Sequence, residues 1–169
     1  LVYQTVVACP RMDIVMNAAD RFRSNSRQRL FLRKVNENVL TILEGPPGTG
    51  KTRSLLPLID AWATYAPAGW CVVVVAASNM ALDHLCWLLS CADANGDLSF
   101  PLEQVVRFAK ISAVHPSYQE HVGRLTPEGR YRGRYGGLPD LMNKSDRRCF
   151  NKLKERLVQD AKVILVTLE

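Results

Sequence analysis

The sequence lacks an apolar run of the roughly 20 residues that a membrane-spanning helix needs. Residues 1–7 are mostly apolar but have neither an initiating Met nor a basic flank, so they do not resemble a signal peptide. Internal repeats and low-complexity segments are also missing. These absences exclude a transmembrane protein and predict no membrane partner. We expect the 169 residues to be a segment of a longer chain.

Cysteine is present in a number that does not suit a disulfide framework. The five residues are scattered, at Cys9, Cys71, Cys86, Cys91 and Cys149. We therefore expect free thiols in a reducing, intracellular compartment. A metal site could be assembled from the residue types of His84, Cys86 and Cys91. Their spacing, however, matches no zinc pattern, and they fall on a predicted apolar helix. Buried thiols are the better interpretation.

Acidic residues are scarce in one part of the chain. The net charge is +6, and residues 112–158 hold ten Lys and Arg against five Asp and Glu. Such an excess suits a nucleic-acid backbone, and Tyr131 and Tyr135 lie among arginines where they could stack bases. A solvated basic face is an equally good alternative.

One segment carries a sharp motif. Residues 45–52 read GPPGTGKT and fill every fixed position of the phosphate-binding loop G-x-x-x-x-G-K-[ST]. The glycines let the loop turn and aim backbone N–H groups at an anion. Lys51 supplies positive charge for the β- and γ-phosphates, and the Thr52 hydroxyl suits Mg²⁺ at the start of the next helix.

The residues around the loop support a nucleotide site. A plain surface turn would explain neither the Lys-Thr pair nor the apolar residues 39–43, which we predict to form a strand entering the loop. The candidate residues are Gly45, Pro46, Pro47, Gly48, Thr49, Gly50, Lys51, Thr52 and Arg53.

Strands and helices alternate along the chain, which predicts an α/β fold with a parallel sheet. The predicted helices span residues 10–35, 53–65 and 80–91, and the predicted strands span 71–77, 104–108 and 162–167. Residues 71–77 form a β-branched run typical of a strand buried on both faces. Prolines and glycines in residues 112–135 predict an irregular insertion ahead of a basic helix at about 139–159.

The phosphate loop does not choose an ATPase family, because GPPGTGKT also resembles the loop of AAA+ ATPases. Asn25, however, precedes Gln28 by three positions, and sixteen residues separate Gln28 from Gly45. This spacing resembles the adenine-reading Q motif of superfamily 1 helicases (subgroup B), in the branch of the nonsense-mediated-decay RNA helicase, senataxin and the Dna2-type nucleases. A Gln amide can donate to the adenine edge and accept from its exocyclic amine. A solvated Gln is the alternative.

Two further segments resemble motifs of the same family. Residues 76–85, AASNMALDHL, resemble motif Ia, commonly A-P-S-N-x-A-x-D-x-L, with Ala77 in place of Pro. In the family this corner holds nucleic-acid phosphates, which makes Ser78 and Asn79 candidates. A plain helix cap is the alternative, and both can hold at once. The strand that ends at Thr167 resembles motif Ic, in which the Thr contacts the nucleic-acid backbone.

The resemblance spans residues 24–167 in the right order. It implies a P-loop, RecA-like motor domain of an ATP-dependent helicase at residues 24–169, with an insertion at 112–158 and a helical lead-in at 1–23. It implies ATP and Mg²⁺ as cofactors, single-stranded RNA or DNA and a second RecA-like domain as partners, and 5′-to-3′ movement. The family's next element, a strand ending in Asp-Glu, does not occur up to Glu169. An AAA+ ATPase and a helicase-like scaffold without hydrolysis remain alternatives.

Overall fold

The computed structural model describes residues 9–168, so the expectations for residues 1–7 and for Glu169 lie outside it. The chain forms two compact units that divide between residues 65 and 66. The helices are α1 (Met12–Arg21), α2 (Ser26–Glu37), α3 (Leu55–Tyr65), α4 (Asn79–Ala94), α5 (Gln119–Val122), α6 (Pro127–Tyr135) and α7 (Lys144–Asp160). The strands are β1 (Val72–Ala76), β2 (Val105–Phe108) and β3 (Val163–Thr167). None of the helices within residues 9–168 has the length and apolar character to span a membrane.

The first unit is built on helices α1, α2 and α3. α1 packs against both of the others, and their shared core consists of Val15, Ala18, Ala19, Leu32 and Ala61. A fully buried carboxylate, Asp60 on α3, forms an ion pair with Arg21 at the end of α1. The pair ties the helix that follows the phosphate loop to the N-terminal helices.

Residues 10–35 were predicted as one helical segment, and the structure divides them into α1 and α2. The chain leaves α1 through Arg23, whose φ of 51° lies in the left-handed region. Ser24 N–H then donates to the Ala19 carbonyl at 2.9 Å, a bond that closes a helix C-terminus. Glycine usually occupies such a left-handed position, and Arg23 gives no comparable signal in the sequence.

The predicted strand at residues 39–43 is wrong. These residues are irregular, and the described part of the first unit contains no strand. Their apolar side chains are exposed, with Leu40 at 79% and Ile42 at 75%. An apolar run favours burial, but a strand also needs a neighbouring backbone to bond its N–H and C=O groups. Within residues 9–168, residues 39–43 have no ladder partner.

The second unit is built on a parallel sheet in the order β1-β3-β2. β3, the last strand in the chain, lies between the other two, and α4 packs on β1 and β3. Val105, Val163 and Leu165 from the sheet and Leu82 and Leu89 from α4 are among the buried core residues. The α/β fold class with a parallel sheet is confirmed.

β1 was predicted to be buried on both faces, and this is wrong for one face. Val73 and Val75 are exposed to 55% and 47%, whereas Val72 and Val74, on the opposite face, are less exposed. β1 is an edge strand of the three-stranded sheet. A β-branched run therefore identified the strand correctly but not the burial of each face.

Residues 112–135 were predicted to be irregular, but they contain the short helix α5 and, in their second half, the helix α6. Thr126 caps α6 by accepting a hydrogen bond from Gly129 N–H at 3.0 Å, and Pro127 occupies the first turn. Gly136, with φ of 80°, ends the helix. The prediction took the prolines and glycines as residues that interrupt helices. Pro127 and Gly136 instead lie at the start and the end of α6, where proline and glycine are favoured. The basic helix was predicted correctly, although α7 begins at Lys144 instead of about residue 139.

Candidate nucleotide and nucleic-acid sites

The phosphate loop is closed by hydrogen bonds among its own residues. Gly48 and Gly50 have φ of 77° and 82°, a conformation that glycine adopts without strain. The Lys51 ammonium donates to the Gly45 carbonyl at 2.5 Å and to the Pro46 carbonyl at 2.7 Å. The Thr49 hydroxyl donates to the same Pro46 carbonyl at 2.8 Å. The Lys51 ammonium is therefore held against the loop by the loop's own carbonyl groups.

The chain winds from the loop into α3 through a turn at residues 51–54. Ser54 is buried, and its N–H and hydroxyl both donate to the Gly50 carbonyl at 3.0 Å. Leu55 N–H donates to the Thr52 carbonyl. Thr52 and Lys51 therefore precede the regular helix, which begins at Leu55 and not at Arg53 as predicted.

Gln28 is held in a defined orientation by Asn25. Asn25 caps α2 by accepting from Gln28 N–H at 3.0 Å, and the Gln28 side-chain oxygen Oε1 accepts from Asn25 N–H at 2.9 Å. This reciprocal pair is a capping box. A backbone N–H can only donate, so the bond identifies Oε1 as the side-chain oxygen that faces Asn25. The amide direction of Gln28 is thereby fixed.

The structure brings Gln28 and the phosphate loop together. A Cβ on Gly50 would stand 3.1 Å from Gln28 Nε2, so the amide group lies directly beside the loop backbone. A cavity of about 400 Å³ opens between them. Among its lining residues are Asn25, Gln28, Gly45, Pro46, Thr49 and Lys51.

Some predicted nucleotide residues lie outside this cavity. Pro47, Gly48, Gly50, Thr52 and Arg53 are not among its lining residues, and the Arg53 side chain is exposed. Asn25 was missed as a site residue, although an Asn followed three positions later by a Gln is a readable capping-box signal.

The residues present fit a nucleotide with Mg²⁺. A Cβ on Gly45 would stand 3.2 Å from Thr49 Oγ1, so a side chain at residue 45 would press on the Thr49 hydroxyl. A Lys ammonium, a hydroxyl at position 52 and a run of loop N–H groups supply the donor set that phosphates and their cation need. Within residues 9–168, no cluster of three or more His, Cys, Asp or Glu side chains could hold a metal by itself.

The predicted nucleic-acid residues meet at the carboxyl end of the sheet. Ser78 and Asn79 follow β1 directly, and Thr167 is the last residue of β3. The β1–β3 register places Thr167 opposite Ala76, so the three candidates share one edge of two neighbouring strands. Ser78 also caps α4, with its hydroxyl accepting from Ala81 N–H at 3.3 Å. Ligands of open α/β sheets bind at this edge.

A buried arginine, Arg107 on β2, contacts the same corner. Both Arg107 and Asp83 are completely buried, and Arg107 Nε donates to Asp83 Oδ1 at 3.2 Å. Arg107 Nη2 donates to Asn79 Oδ1 at 2.5 Å, and Nη1 donates to the Phe108 carbonyl at 3.1 Å. The other Asp83 oxygen accepts from His115 N–H at 2.9 Å. No short-range pattern in the sequence pointed to this network, because its members come from three separate segments.

The insertion uses part of its basic and aromatic surface for packing. Tyr131 is buried and contacts Phe150 edge-on, with ring centroids 5.7 Å apart. It therefore belongs to the small core between α6 and α7 and is not open for base stacking. Arg130 donates to the carbonyls of Glu103 and Val105 at 3.1 and 3.2 Å, and burial lowers the pKa of its guanidinium.

Most of the remaining basic side chains of the insertion face solvent. Lys144, Arg147, Arg148, Lys152 and Arg156 are exposed along α7. Tyr135 is also exposed, to 53%.

The metal set of His84, Cys86 and Cys91 was rejected on its spacing, and packing accounts for His84 and Cys86, whereas Cys91 is half-buried. Cys86 is completely buried on α4, and burial raises the pKa of its thiol to about 12. His84 stacks on Trp87, and its Nδ1 lies 3.2 Å from the Tyr118 hydroxyl. Cys86 therefore behaves as a core residue, as predicted from the sequence.

Parallel strands, flanking helices and a complete phosphate loop define a P-loop NTPase domain. Residues 23–164 match a family model described as an AAA domain, AAA_11, and the chain belongs to this family. The family groups helicase-like P-loop domains of the kind found in senataxin and the nonsense-mediated-decay helicase, which use a nucleotide and Mg²⁺. A comparison with curated proteins gave no match.

Proposed function

We propose that the domain is the ATP-binding half of a superfamily 1 helicase motor that acts on single-stranded RNA or DNA. The observation that carries this proposal is the position of Gln28. Its amide lies beside Gly50 of the phosphate loop and lines the same cavity as Lys51. A base and its phosphates can therefore be bound by two groups of the same unit.

Adenine is the base that the Gln28 amide suits. Oε1 accepts one bond from Asn25 N–H, and a carbonyl oxygen has a second lone pair for the adenine exocyclic amine. Nε2 can donate to the neighbouring ring nitrogen. Guanine has a carbonyl where adenine has the amine, so at that position it offers Oε1 no donor. The capping box thus gives the amide the polarity that selects ATP over GTP.

The loop residues would hold the phosphates and Mg²⁺. Backbone N–H groups at Gly48, Thr49 and Gly50 bind phosphate oxygens, and Lys51 supplies charge. Lys51 has three donors and gives two of them to loop carbonyls, so phosphate binding exchanges or adds to these bonds. Thr52 would hold Mg²⁺, which when bound neutralises charge on the phosphates.

A single nucleic-acid strand would bind at the carboxyl edge of the sheet. Ser78, Asn79 and Thr167 are polar and lie together there, and Asn and Thr side chains commonly bind phosphate oxygens. The exposed basic face of α7 would add sequence-independent attraction. We further propose that the protein belongs to the branch of senataxin and the nonsense-mediated-decay helicase, with a second RecA-like domain that completes the ATP site.

Binding measurements on the intact protein test this proposal. Calorimetry should show Mg-ATP binding more tightly than Mg-GTP, and fluorescence anisotropy should show binding of a labelled single-stranded oligonucleotide. Because the two ligands share one motor, an ATP analogue should change the oligonucleotide Kd. Equal affinity for ATP and GTP would remove the adenine assignment, and no oligonucleotide binding at low salt would remove the nucleic-acid assignment.

A further inference from the structure

The side-chain amide of Asn79 has one end fixed by a group that can only donate. A guanidinium carries five N–H donors and no acceptor, so its contact with Asn79 at 2.5 Å must be to the amide oxygen. The NH₂ group of Asn79 cannot be the partner of Arg107, and it faces away from the guanidinium. Asn79 is only half-buried, so part of the residue is open to solvent.

Arg107 keeps its place without help from Asn79. Its Nε donates to the buried Asp83 carboxylate, and its Nη1 donates to the Phe108 carbonyl. Asp83 is in turn fixed by His115 N–H, which binds the second carboxylate oxygen at 2.9 Å. The guanidinium is therefore held by two hydrogen bonds besides the one to Asn79, and one of them is to a fully buried carboxylate.

We infer that Arg107 is a positioning residue that sets the polarity of the Asn79 amide at the nucleic-acid site. Arg107 holds the amide oxygen inward, so the two N–H donors of Asn79 are presented at the edge of the sheet. Phosphate oxygens are acceptors only, and a donor is the group that binds them. This inference rests on the proposed function, because it concerns the strand bound at Ser78, Asn79 and Thr167.

A purely structural role for Arg107 makes a different prediction. In that case the Arg107–Asp83 pair holds α4 against the sheet, and the outward end of Asn79 has no function. Asn79→Asp separates the two roles because the two side chains have the same shape. The carboxylate keeps its bond to Arg107, now between opposite charges, but it replaces the outward donor with a negative acceptor.

The test compares Asn79→Asp with a charge-matched control, Asn95→Asp, in the intact protein. Asn95 is exposed at the other end of α4, so its substitution measures the effect of added negative charge alone. We expect the Kd for a single-stranded oligonucleotide to rise about 10-fold more in Asn79→Asp than in the control. Mg-ATP binding should stay at its wild-type value in both variants, and thermal unfolding should change only slightly, since each added charge lies at one end of α4.

A double variant tests Arg107 itself. Asp83→Asn combined with Arg107→Gln removes both charges together, which avoids leaving an isolated buried charge. A Gln amide has both a donor and an acceptor, so it can bind either end of the Asn79 amide, and the Asn79 amide can then flip. We expect the oligonucleotide Kd to rise about 3-fold to 10-fold with ATP affinity unchanged.

The outcomes distinguish this inference from the proposed function. If the wild-type protein binds the oligonucleotide and both Asn79→Asp and the folded double variant bind it as tightly as the Asn95→Asp control, the positioning role is overturned alone. If the wild-type protein binds no oligonucleotide, the proposed nucleic-acid function and the inference fall together.

Discussion

The phosphate loop and the carboxyl edge of the sheet each present a side-chain amide whose oxygen is already bound. At the loop, Gln28 Oε1 accepts from Asn25 N–H, three residues away in the chain. At the sheet edge, Asn79 Oδ1 accepts from Arg107, which is 28 residues away. The same chemical device is built from local contacts in one unit and from long-range contacts in the other.

The difference explains what each site depends on. The loop bonds join residues at most six positions apart, so they form once the local chain has turned. The sheet-edge bonds require β1, β2 and β3 to be in register and Asp83 to be buried. Damage to the sheet-edge network should therefore reduce folding stability, whereas damage to the loop should reduce ligand binding.

The largest expected effect is on stability, from Arg107→Met. The substitution leaves the Asp83 carboxylate buried without its partner, and we expect the free energy of unfolding to fall by about 3–5 kcal/mol. The control is Arg11→Met, because Arg11 also pairs with an aspartate but is 76% exposed. The control should change stability by less than about 1 kcal/mol. Urea unfolding of the two variants measures both values, and equal losses would contradict the comparison.

The next effect is on ligand binding, from Lys51→Ala. It removes the only side-chain ammonium bound to the loop carbonyls in the described residues, so we expect the Mg-ATP Kd to rise about 100-fold, or about 2.7 kcal/mol. Lys34→Ala on α2 is the control, because Lys34 is exposed and outside the cavity lining. Calorimetry should show tight ATP binding in the control only. Unchanged ATP affinity in Lys51→Ala would remove the nucleotide site from this loop.

A pair of glycines in α6 extends the comparison to the insertion. A Cβ on residue 129 would stand 1.9 Å from the Gly123 carbonyl oxygen, whereas one on residue 133 would meet nothing within 4 Å. We expect Gly129→Ala to lower the free energy of unfolding by about 1–3 kcal/mol because backbone must shift. Gly133→Ala should raise it by up to about 1 kcal/mol, because alanine favours the helix. Urea unfolding of the two variants measures these changes. Changes of opposite sign in the free energy of unfolding would support the close contact at residue 129, whereas changes of the same sign would contradict it.

The smallest effect is on base selectivity, from Gln28→Glu. Glutamate can still accept from Asn25 N–H and keep the capping box, but it cannot donate to adenine. We expect the preference for ATP over GTP to fall about 10-fold, or about 1.4 kcal/mol, without loss of stability. Competition between the two nucleotides gives the ratio. A preference that survives in Gln28→Glu would mean that another group reads the base.

Local patterns in the sequence were sufficient for the phosphate loop and for most helices and strands. The GPPGTGKT run identified the loop, and β-branched runs located β1 and β3 to within one residue. Wherever a tertiary partner decides the outcome, the prediction was wrong or incomplete. Residues 39–43 have the composition of a strand but no ladder partner among the described residues, and Gly129 lies in α6 where the backbone of Gly123 leaves no room for a side chain. The role of Arg107 could not be predicted from local patterns either, because its partners Asp83 and Asn79 lie 24 and 28 positions away in the chain.

The proposal as a whole is tested most directly by ATP turnover of the intact protein with and without a single-stranded oligonucleotide. We predict that the oligonucleotide stimulates turnover in the wild-type protein and in Lys34→Ala. Stimulation should be lost in Lys51→Ala and weakened in Asn79→Asp. An ATP turnover rate that is the same with and without the oligonucleotide would contradict a nucleic-acid motor and favour an AAA+ ATPase. No ATP turnover at all would favour a scaffold that does not hydrolyse ATP.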